Sequence, residues 1–395
     1  MSYGGFPRKT RGASRSGSRR TVPLPWHSAA RIGHFAPIDP RVFGSAVVRP
    51  AARSAAACAT GGHISSSSRI TSAAVHHPEH RQPVAEVEEM VRATNPHLLI
   101  VEGVLERLYG LEERRVAPKG TLPSDLAAAA GASALDRARL APSDVDLLIF
   151  AGVSEDLEEP ATAHVVAHKL AVTAPVFDVK NACNGVLNAL QIADALIRTG
   201  THTTVMVVTG ELPSRLMRLP VADRSELAYA MPAYTGGDMG AALLVQASDT
   251  PGLIATRFAA DSAGWDAATM VNPYFGSEDR PRCPRIDSES LVRSCLGFAQ
   301  DGVREMAELG FKIGDADLVC VHQASMPFTR TLCAAVGAEP ERVVPVFPRY
   351  GNVGTGSLPL QLVEAQNAGR LHRGDLVALF GLASGTSCGL ALCQW

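Results

Sequence analysis

Charge and aromatic rings are scarce in this chain: of 395 residues, 19% are charged and 5% aromatic, against 46% hydrophobic. The polar, charge-rich composition that keeps a chain unfolded is therefore missing over most of its length. The chain can bury large cores, and its length allows two or three domains. No run of about 18 apolar residues occurs, so no segment is long enough to span a membrane as a helix, and no membrane partner is expected. The eight cysteines show no Cys-x-x-Cys pair and no disulfide or metal-ligand spacing. No metal is expected, and a reducing cytoplasm fits. Gly236-Gly237-Asp238-Met239-Gly240 lacks the glycine spacing and acidic partner of a dinucleotide fingerprint. No cofactor is expected.

Acids are nearly absent from the first 65 residues, where nine arginines and one lysine face only Asp39. This stretch carries about +9, so with a total of −2 the remainder carries about −11. Rich in Ser, Arg, Gly and Ala and without apolar periodicity, residues 1–65 read as a disordered basic extension. An organelle transit peptide has a similar composition, as does a basic arm that binds nucleic acid. Aromatic interleaving is sparse and no binding motif appears, so no nucleic-acid partner is expected. The leading reading is a start codon assigned upstream of the true beginning near Ser66.

Three separated stretches carry the chemistry: Asn181-Ala182-Cys183-Asn184-Gly185, His322-Gln323-Ala324-Ser325 and Gly351-Asn352-Val353-Gly354-Thr355-Gly356-Ser357. Cys183 follows the apolar run from Ala174 to Val179. After it, Val186, Leu187, Leu190, Ala193, Leu196 and Ile197 recur at helical spacing. The cysteine therefore stands where a strand turns into a helix. A sulfur at a helix N-terminus meets unpaired N–H groups and the positive end of the macrodipole, so its thiolate is expected to be favoured. His322 ends the apolar run 317–321, and Asn352 lies in a glycine-rich loop.

Each of these has a plainer reading. Buried cysteines are commonly small hydrophobes, and that reading is taken for Cys58, Cys283, Cys295, Cys320, Cys333 and Cys393. His322 could cap a strand end, and Asn352 beside glycine could be a turn residue.

The run Asp178 to Gly185, the His-Gln-Ala stretch, the Gly-Asn loop and the segment Phe380-Gly381 to Trp395 together resemble the β-ketoacyl-ACP synthase III branch of the thiolase-fold condensing enzymes. Thirty residues separate His322 from Asn352, and the resemblance covers roughly residues 66–395. It implies an α/β thiolase-like fold of two similar halves, 66–248 with the nucleophile and 249–395 with the histidine and asparagine, layered α-β-α-β-α. The alternation of strand and helix patterns points to mostly parallel sheets.

By the same resemblance Cys183 carries the acyl group, while His322 and Asn352 bind the extender thioester carbonyl as malonyl loses carbon dioxide. Backbone N–H groups of Cys183 and of Ser384 or Gly385 hold the oxyanion. Partners implied are acyl-CoA or acyl carrier protein thioesters and a second copy of the chain, docked through the strand Thr203 to Gly210.

Several positions depart from the family pattern. Val104 to Leu111 offers no tryptophan to clamp coenzyme A, Ser325 replaces an asparagine, and Cys388 stands where tryptophan is usual. Cys388 is read as filler, the alternative being the second, base-like cysteine of thiolases. Arg330 and Arg224 are candidates for docking carrier protein and lining the pantetheine tunnel, and Glu226 to Tyr234 reads as an insertion that reshapes that tunnel. These departures suggest a specialised relative of the housekeeping synthase. Two further functions stay open: an acyltransferase that passes the group from Cys183 to an alcohol or amine, and a catalytically silent partner subunit.

Overall fold

The computed structural model describes residues 67–218, 220–272 and 284–395. The expectations for residues 1–65, Cys58 and Cys283 lie outside these.

In chain order the strands are β1 (Ser67–His76), β2 (Arg81–Pro83), β3 (Glu113–Arg115), β4 (Leu147–Phe150), β5 (Val176–Asp178), β6 (Thr204–Glu211), β7 (Met239–Ser248), β8 (Leu253–Ala260), β9 (Ala268–Thr269), β10 (Arg285–Ile286), β11 (Leu318–Val321), β12 (Leu376–Ala383) and β13 (Ser387–Gln394). The helices are α1 (Val84–Thr94), α2 (Val104–Tyr109), α3 (Pro123–Ala138), α4 (Thr162–Leu170), α5 (Gly185–Arg198), α6 (Arg224–Ala230), α7 (Ser288–Glu308), α8 (Met326–Val336), α9 (Phe347–Tyr350) and α10 (Ser357–Asn367).

Two sheets dominate. One has five strands in the order β1-β7-β6-β4-β5, the other four in the order β11-β12-β13-β8. Read from β1 and from β8, both run first strand, last, next to last, second, so the strand order repeats although the letters do not. The alternating side chains of each sheet separate its two faces.

Leu147, Ile149, Val205 and Val207 from the first sheet and Leu318, Cys320, Val377 and Leu379 from the second meet Leu187, Leu190 and Ile197 of α5 and Leu358, Leu362 and Ala365 of α10 in one central core. Leu148, Phe150, Met206 and Val208 point the other way, onto α3 and α4. Phe380, Leu382, Leu390 and Leu392 point onto α7 and α8. The arrangement is thus helix, sheet, helix pair, sheet, helix. The faces of α5 and α10 turned to the two sheets are apolar, as a helix packed between layers requires.

Two expectations need correcting. The sheets are mixed rather than mostly parallel: β1–β7, β6–β7, β12–β13 and β13–β8 pair antiparallel, while β4–β5, β4–β6 and β11–β12 pair parallel. The second sheet gains its antiparallel character from a hairpin between β12 and β13, which needs no crossover helix. In addition, the strand Thr203 to Gly210 does not offer an edge for a second copy. It is β6, buried along its length and hydrogen-bonded on both sides, to β4 and to β7. The strand with only one neighbour in that sheet, apart from β1, is β5.

Candidate active site

Between β5 and α5 the chain turns sharply at Ala182, whose φ of 43° lies in the left-handed region that L side chains rarely adopt. Asn184 N–H donates to Asn181 O at 3.0 Å and Gly185 N–H to Ala182 O at 3.1 Å. This tight turn puts Cys183 immediately before the first turn of α5. Asn184 is fully buried and donates through Nδ2 to Ser387 Oγ at 3.0 Å, which fastens the cysteine turn to the start of β13. The β12–β13 turn, with Ser384, Gly385 at φ 107° and Thr386, is therefore adjacent to it.

Only glycine is tolerated opposite: a Cβ at Gly381 would lie 2.2 Å from Asn184 Oδ1 and 2.6 Å from Leu187 Cδ1. The two segments expected to supply oxyanion donors are thus brought together.

His322 follows β11 and is 4% exposed, its N–H donating to Phe380 O at 2.8 Å. Gln323 ties this strand end to the segment leading to Asn352. Its Nε2 donates to Val344 O at 2.8 Å, and its Oε1 accepts from Val346 N–H and Phe347 N–H at 2.9 and 3.1 Å. Its own N–H donates to Ser357 Oγ, at the start of α10, at 3.1 Å. Ser325, which replaces the family's asparagine, caps α8 by accepting from Phe328 N–H at 3.1 Å.

Asn352 is held by its backbone, donating to Thr235 O at 3.0 Å and accepting from Gly237 N–H at 3.1 Å. Its Oδ1 accepts from Gly354 N–H at 3.1 Å, which leaves both Nδ2 hydrogens to donate elsewhere. This docking needs glycine on both sides. A Cβ at Gly351, where φ is 71°, would sit 2.1 Å from Thr235 O, and one at Gly237 would sit 1.9 Å from Tyr350 O. Gly236 to Gly240, which carries no dinucleotide fingerprint, is thus the seat of the asparagine loop. Asp238 anchors that seat, accepting from Ala117 N–H, Ser214 N–H and Ser214 Oγ.

The electrostatics correct one expectation. Cys183 keeps some exposed surface, but burial of its sulfur pushes the thiol up to about 12, and the Glu211 carboxylate adds to the shift. Its own backbone N–H pulls the other way and loses. The resting residue is a thiol, because desolvation of the charged form outweighs the helix N-terminus. Burial likewise lowers His322 to about 4, so its imidazole is neutral at pH 7 and has one donor and one acceptor nitrogen. No hydrogen bond reaches that ring within the described residues.

The remaining candidates lie elsewhere. Arg224 opens α6 and Arg330 lies on α8; both are exposed, and neither makes an ion pair or hydrogen bond to the converging segments among the described residues. Cys388 is 5% exposed in the apolar cluster under α7, with Cys295 beside it in that cluster. Burial raises its thiol to about 12, which suits a filler and not a base. Cys295, Cys320 and Cys393 are buried in apolar clusters as expected, and Cys333 is half-buried. Histidines four apart do occur, at His76/His80 and His164/His168, but no group of three metal-ligating side chains exists among the described residues.

The sequence model of 3-oxoacyl-[acyl-carrier-protein (ACP)] synthase III matches residues 177–262, and that of its C terminal matches 306–395. A β-ketoacyl-[acyl-carrier-protein] synthase III from Thiobacillus denitrificans is 33% identical over 290 residues, which is 72% of this chain and 88% of the relative. The chain belongs to the 3-oxoacyl-ACP synthase III family.

An acyl-CoA:acyl-CoA alkyltransferase from Xanthomonas campestris is 31% identical over 321 residues, 78% of this chain and 93% of that one. Among solved structures, a cysteine-to-serine variant of Xanthomonas campestris OleA with bound lauric acid and lauroyl-CoA has a TM-score of 0.75 at 28% identity, covering 84% of this chain and 100% of that chain. Cerulenin-bound OleA gives 0.74 at 29% identity, covering 83% and 97%. This synthase-family chain is an acyl-transferring condensing enzyme with the thiolase fold.

Two residues that hold these segments are given no role by the sequence alone. Gln323 lies within the His-Gln-Ala stretch, and its clamp on residues 344–347 becomes visible only with the fold. Glu211 is 2% exposed and bonded to Thr355 Oγ1 at 2.7 Å. An acid closing the strand Thr204-Val-Met-Val-Val-Thr-Gly was the available signal, since a carboxyl there must find buried partners.

Proposed function

We propose that Cys183 is the acylated nucleophile of a Claisen condensation that yields a β-ketoacyl product. His322 and Asn352 bind the extender thioester carbonyl, and the N–H groups of Cys183 and of Ser384 or Gly385 receive the oxyanion. The observation that carries this reading is the convergence of the Cys183 turn, the β12–β13 turn, the His322 strand end and the Asn352 loop at the ends of α5 and α10.

The neutral imidazole supports two uses: its donor N–H and the Asn352 Nδ2 serve the enolate oxygen that forms as carbon dioxide leaves malonyl, and its acceptor nitrogen serves the thiol proton. Donors fixed in place before the reaction lower the barrier by about 3 kcal/mol each, since nothing must reorganise as charge develops.

The departures at residues 104–111, Ser325 and Cys388 support a specialised member of the family. Helix α2 abuts Met326 at the start of α8, and exposed Arg330 and Arg224 are cations available to a carrier protein or coenzyme A phosphate. The two sheets support a division into halves 66–248 and 249–395. We also propose a homodimer, now through the open edge of β5, where Phe177 is 36% exposed; a monomer in light scattering would remove this element. The free cysteines support a reducing cytoplasm.

One relative favours a second reading. The similarity to the acyl-CoA:acyl-CoA alkyltransferase allows the extender to be a second acyl-CoA, in which case no carbon dioxide is released.

The test is intact-protein mass spectrometry after incubation with acyl-CoAs from acetyl to myristoyl, for wild type and Cys183→Ala, followed by malonyl-CoA. Acylation that needs Cys183 and discharges to a β-keto product with carbon dioxide supports the first reading. Discharge by a second acyl-CoA without carbon dioxide supports the second. Discharge only to an added alcohol or amine indicates acyl transfer, and no adduct with any donor sinks the assignment of Cys183.

A further inference from the structure

Glu211, the last residue of β6, is 2% exposed and its carboxyl accepts four hydrogen bonds. Its Oε1 accepts from Val153 N–H at 2.9 Å and Thr355 Oγ1 at 2.7 Å. Its Oε2 accepts from Ser154 N–H at 3.2 Å and Ser154 Oγ at 3.0 Å. The Thr355 hydroxyl also lies 2.5 Å from Thr209 Oγ1 on the same strand, so one hydrogen-bonded chain runs Thr209, Thr355, Glu211. Gly354 approaches the carboxyl so closely that a Cβ there would be 3.1 Å from Glu211 Cδ.

Burial pushes this carboxyl above its ordinary range despite the four bonds, and its charge weighs on the Cys183 sulfur. A charged residue type is costly in such a place. Its retention is intelligible if only a carboxyl, with acceptor capacity on both oxygens, can hold N–H and O–H donors from two separate loops.

One of those loops is the asparagine loop. Thr355 and Gly354 follow Asn352 directly after Val353, and Gly354 N–H is the group that fixes the Asn352 carboxamide. A Cβ at Gly185, the first residue of α5, would meet Thr355 Cγ2 at 3.4 Å. Thr355 is thus the point where the asparagine loop touches both the nucleophile helix and the buried acid.

We propose that Glu211 is a positioning residue of the condensation: through Thr355 and Gly354 it holds the Asn352 carboxamide in register with Cys183 for the extender step. This rests on the reading of Cys183 as nucleophile and Asn352 as carbonyl donor. Glu211 takes no proton and touches no substrate. Its positioning effect falls on the step that uses Asn352; its charge, which raises the Cys183 thiol, can only hinder loading.

The test follows two rates, Cys183 acylation by octanoyl-CoA read by intact mass, and β-keto product formation after malonyl-CoA, in wild type, Thr355→Val, Thr355→Ser and Glu211→Gln. Thr355→Val keeps the packing shape and breaks the bond. Its kcat for product is expected to fall about tenfold or more, with acylation within about threefold of wild type. Thr355→Ser, which keeps the hydroxyl, is expected to recover product formation to within about threefold. Glu211→Gln sets an amide against Ser154 N–H and is expected to lose product formation as Thr355→Val does, with acylation no slower than in wild type because a charge that weighs on the Cys183 sulfur is removed; if it does not fold, the two threonine variants decide. Parallel losses of acylation and product in Thr355→Val, or no loss of product, overturn the proposal. Absence of acylation in wild type overturns the underlying site assignment first, so the two failures are told apart by the unmodified enzyme.

Discussion

Helices α5 and α10 occupy the same apolar layer and each begins beside a candidate catalytic residue, yet the two beginnings are built differently. The approach to α5 is a strained turn, with Ala182 at φ 43° and a sulfur on which charge is disfavoured. The approach to α10 is over-determined: Asn352 is held by its own backbone on both sides and by Gly354 through its carboxamide, and Thr355, three residues on, is tied to Glu211. The contrast separates two tasks. A nucleophile, the role proposed for Cys183, must change, losing a proton and gaining an acyl group, and the surroundings of this sulfur keep it an uncharged thiol. A hydrogen-bond donor to a developing oxyanion works best if it never moves.

The sharpest way to break this comparison is to remove one side at a time. Cys183→Ala is expected to lower acylation and product formation by about 10³-fold or more, as loss of a covalent nucleophile does. Asn352→Ala is expected to lower product formation by about 10²-fold and leave acylation nearly intact. Equal losses in both rates for Asn352→Ala would erase the division of labour.

Next in size is Gly351→Ala, which puts a methyl 2.1 Å from Thr235 O at a positive φ. Strain of this kind costs about 1–3 kcal/mol before the collision is counted. A lowered thermal midpoint with loss of the extender step is expected, and an unchanged midpoint would show that the docking is looser than described.

The neutral histidine gives a pH signature. Its folded value of about 4 lies below the unfolded value of about 6.5, so the unfolded chain takes the proton first. Native stability therefore falls as pH drops from about 6.5 to 4, by up to roughly 3 kcal/mol, and is unaffected by this group above that window. Denaturant titrations of wild type and His322→Gln should diverge there and run parallel above it.

The smallest effect concerns Cys183 itself. With its thiol near 12, iodoacetamide labelling of the free enzyme should rise about tenfold per pH unit from 7 to 10. A plateau near pH 7 would restore the activated thiolate that the helix N-terminus alone suggests.

Much of this site was legible in the sequence because its residues sit at element boundaries, where letters carry local rules. The helical period after Cys183 predicted α5, the apolar run 317–321 predicted β11, and glycines flanking Asn352 marked a loop of unusual backbone. What the letters hid is non-local. The state of the thiol depends on burial by segments far along the chain, and β6 reads as an edge or a centre equally well until its neighbours are known. The antiparallel β12–β13 hairpin was hidden because an apolar strand looks alike in either orientation. Glu211 went unassigned because its partners at Val153, Ser154 and Thr355 are distant in sequence, and the repeated strand order is a matter of topology that no repeat in the letters marks.

The bonds that close the site span long stretches of chain: Asn184 to Ser387 is 203 residues, Thr209 to Thr355 is 146 and Glu211 to Thr355 is 144. Contacts of such separation form late, because the loops they close must lose their freedom first. Competence should therefore arrive as a final event in refolding. Recovery of Cys183 labelling by an acyl thioester should lag behind recovery of helical circular dichroism, and neither sheet with its own helices, produced as a fragment, should turn over.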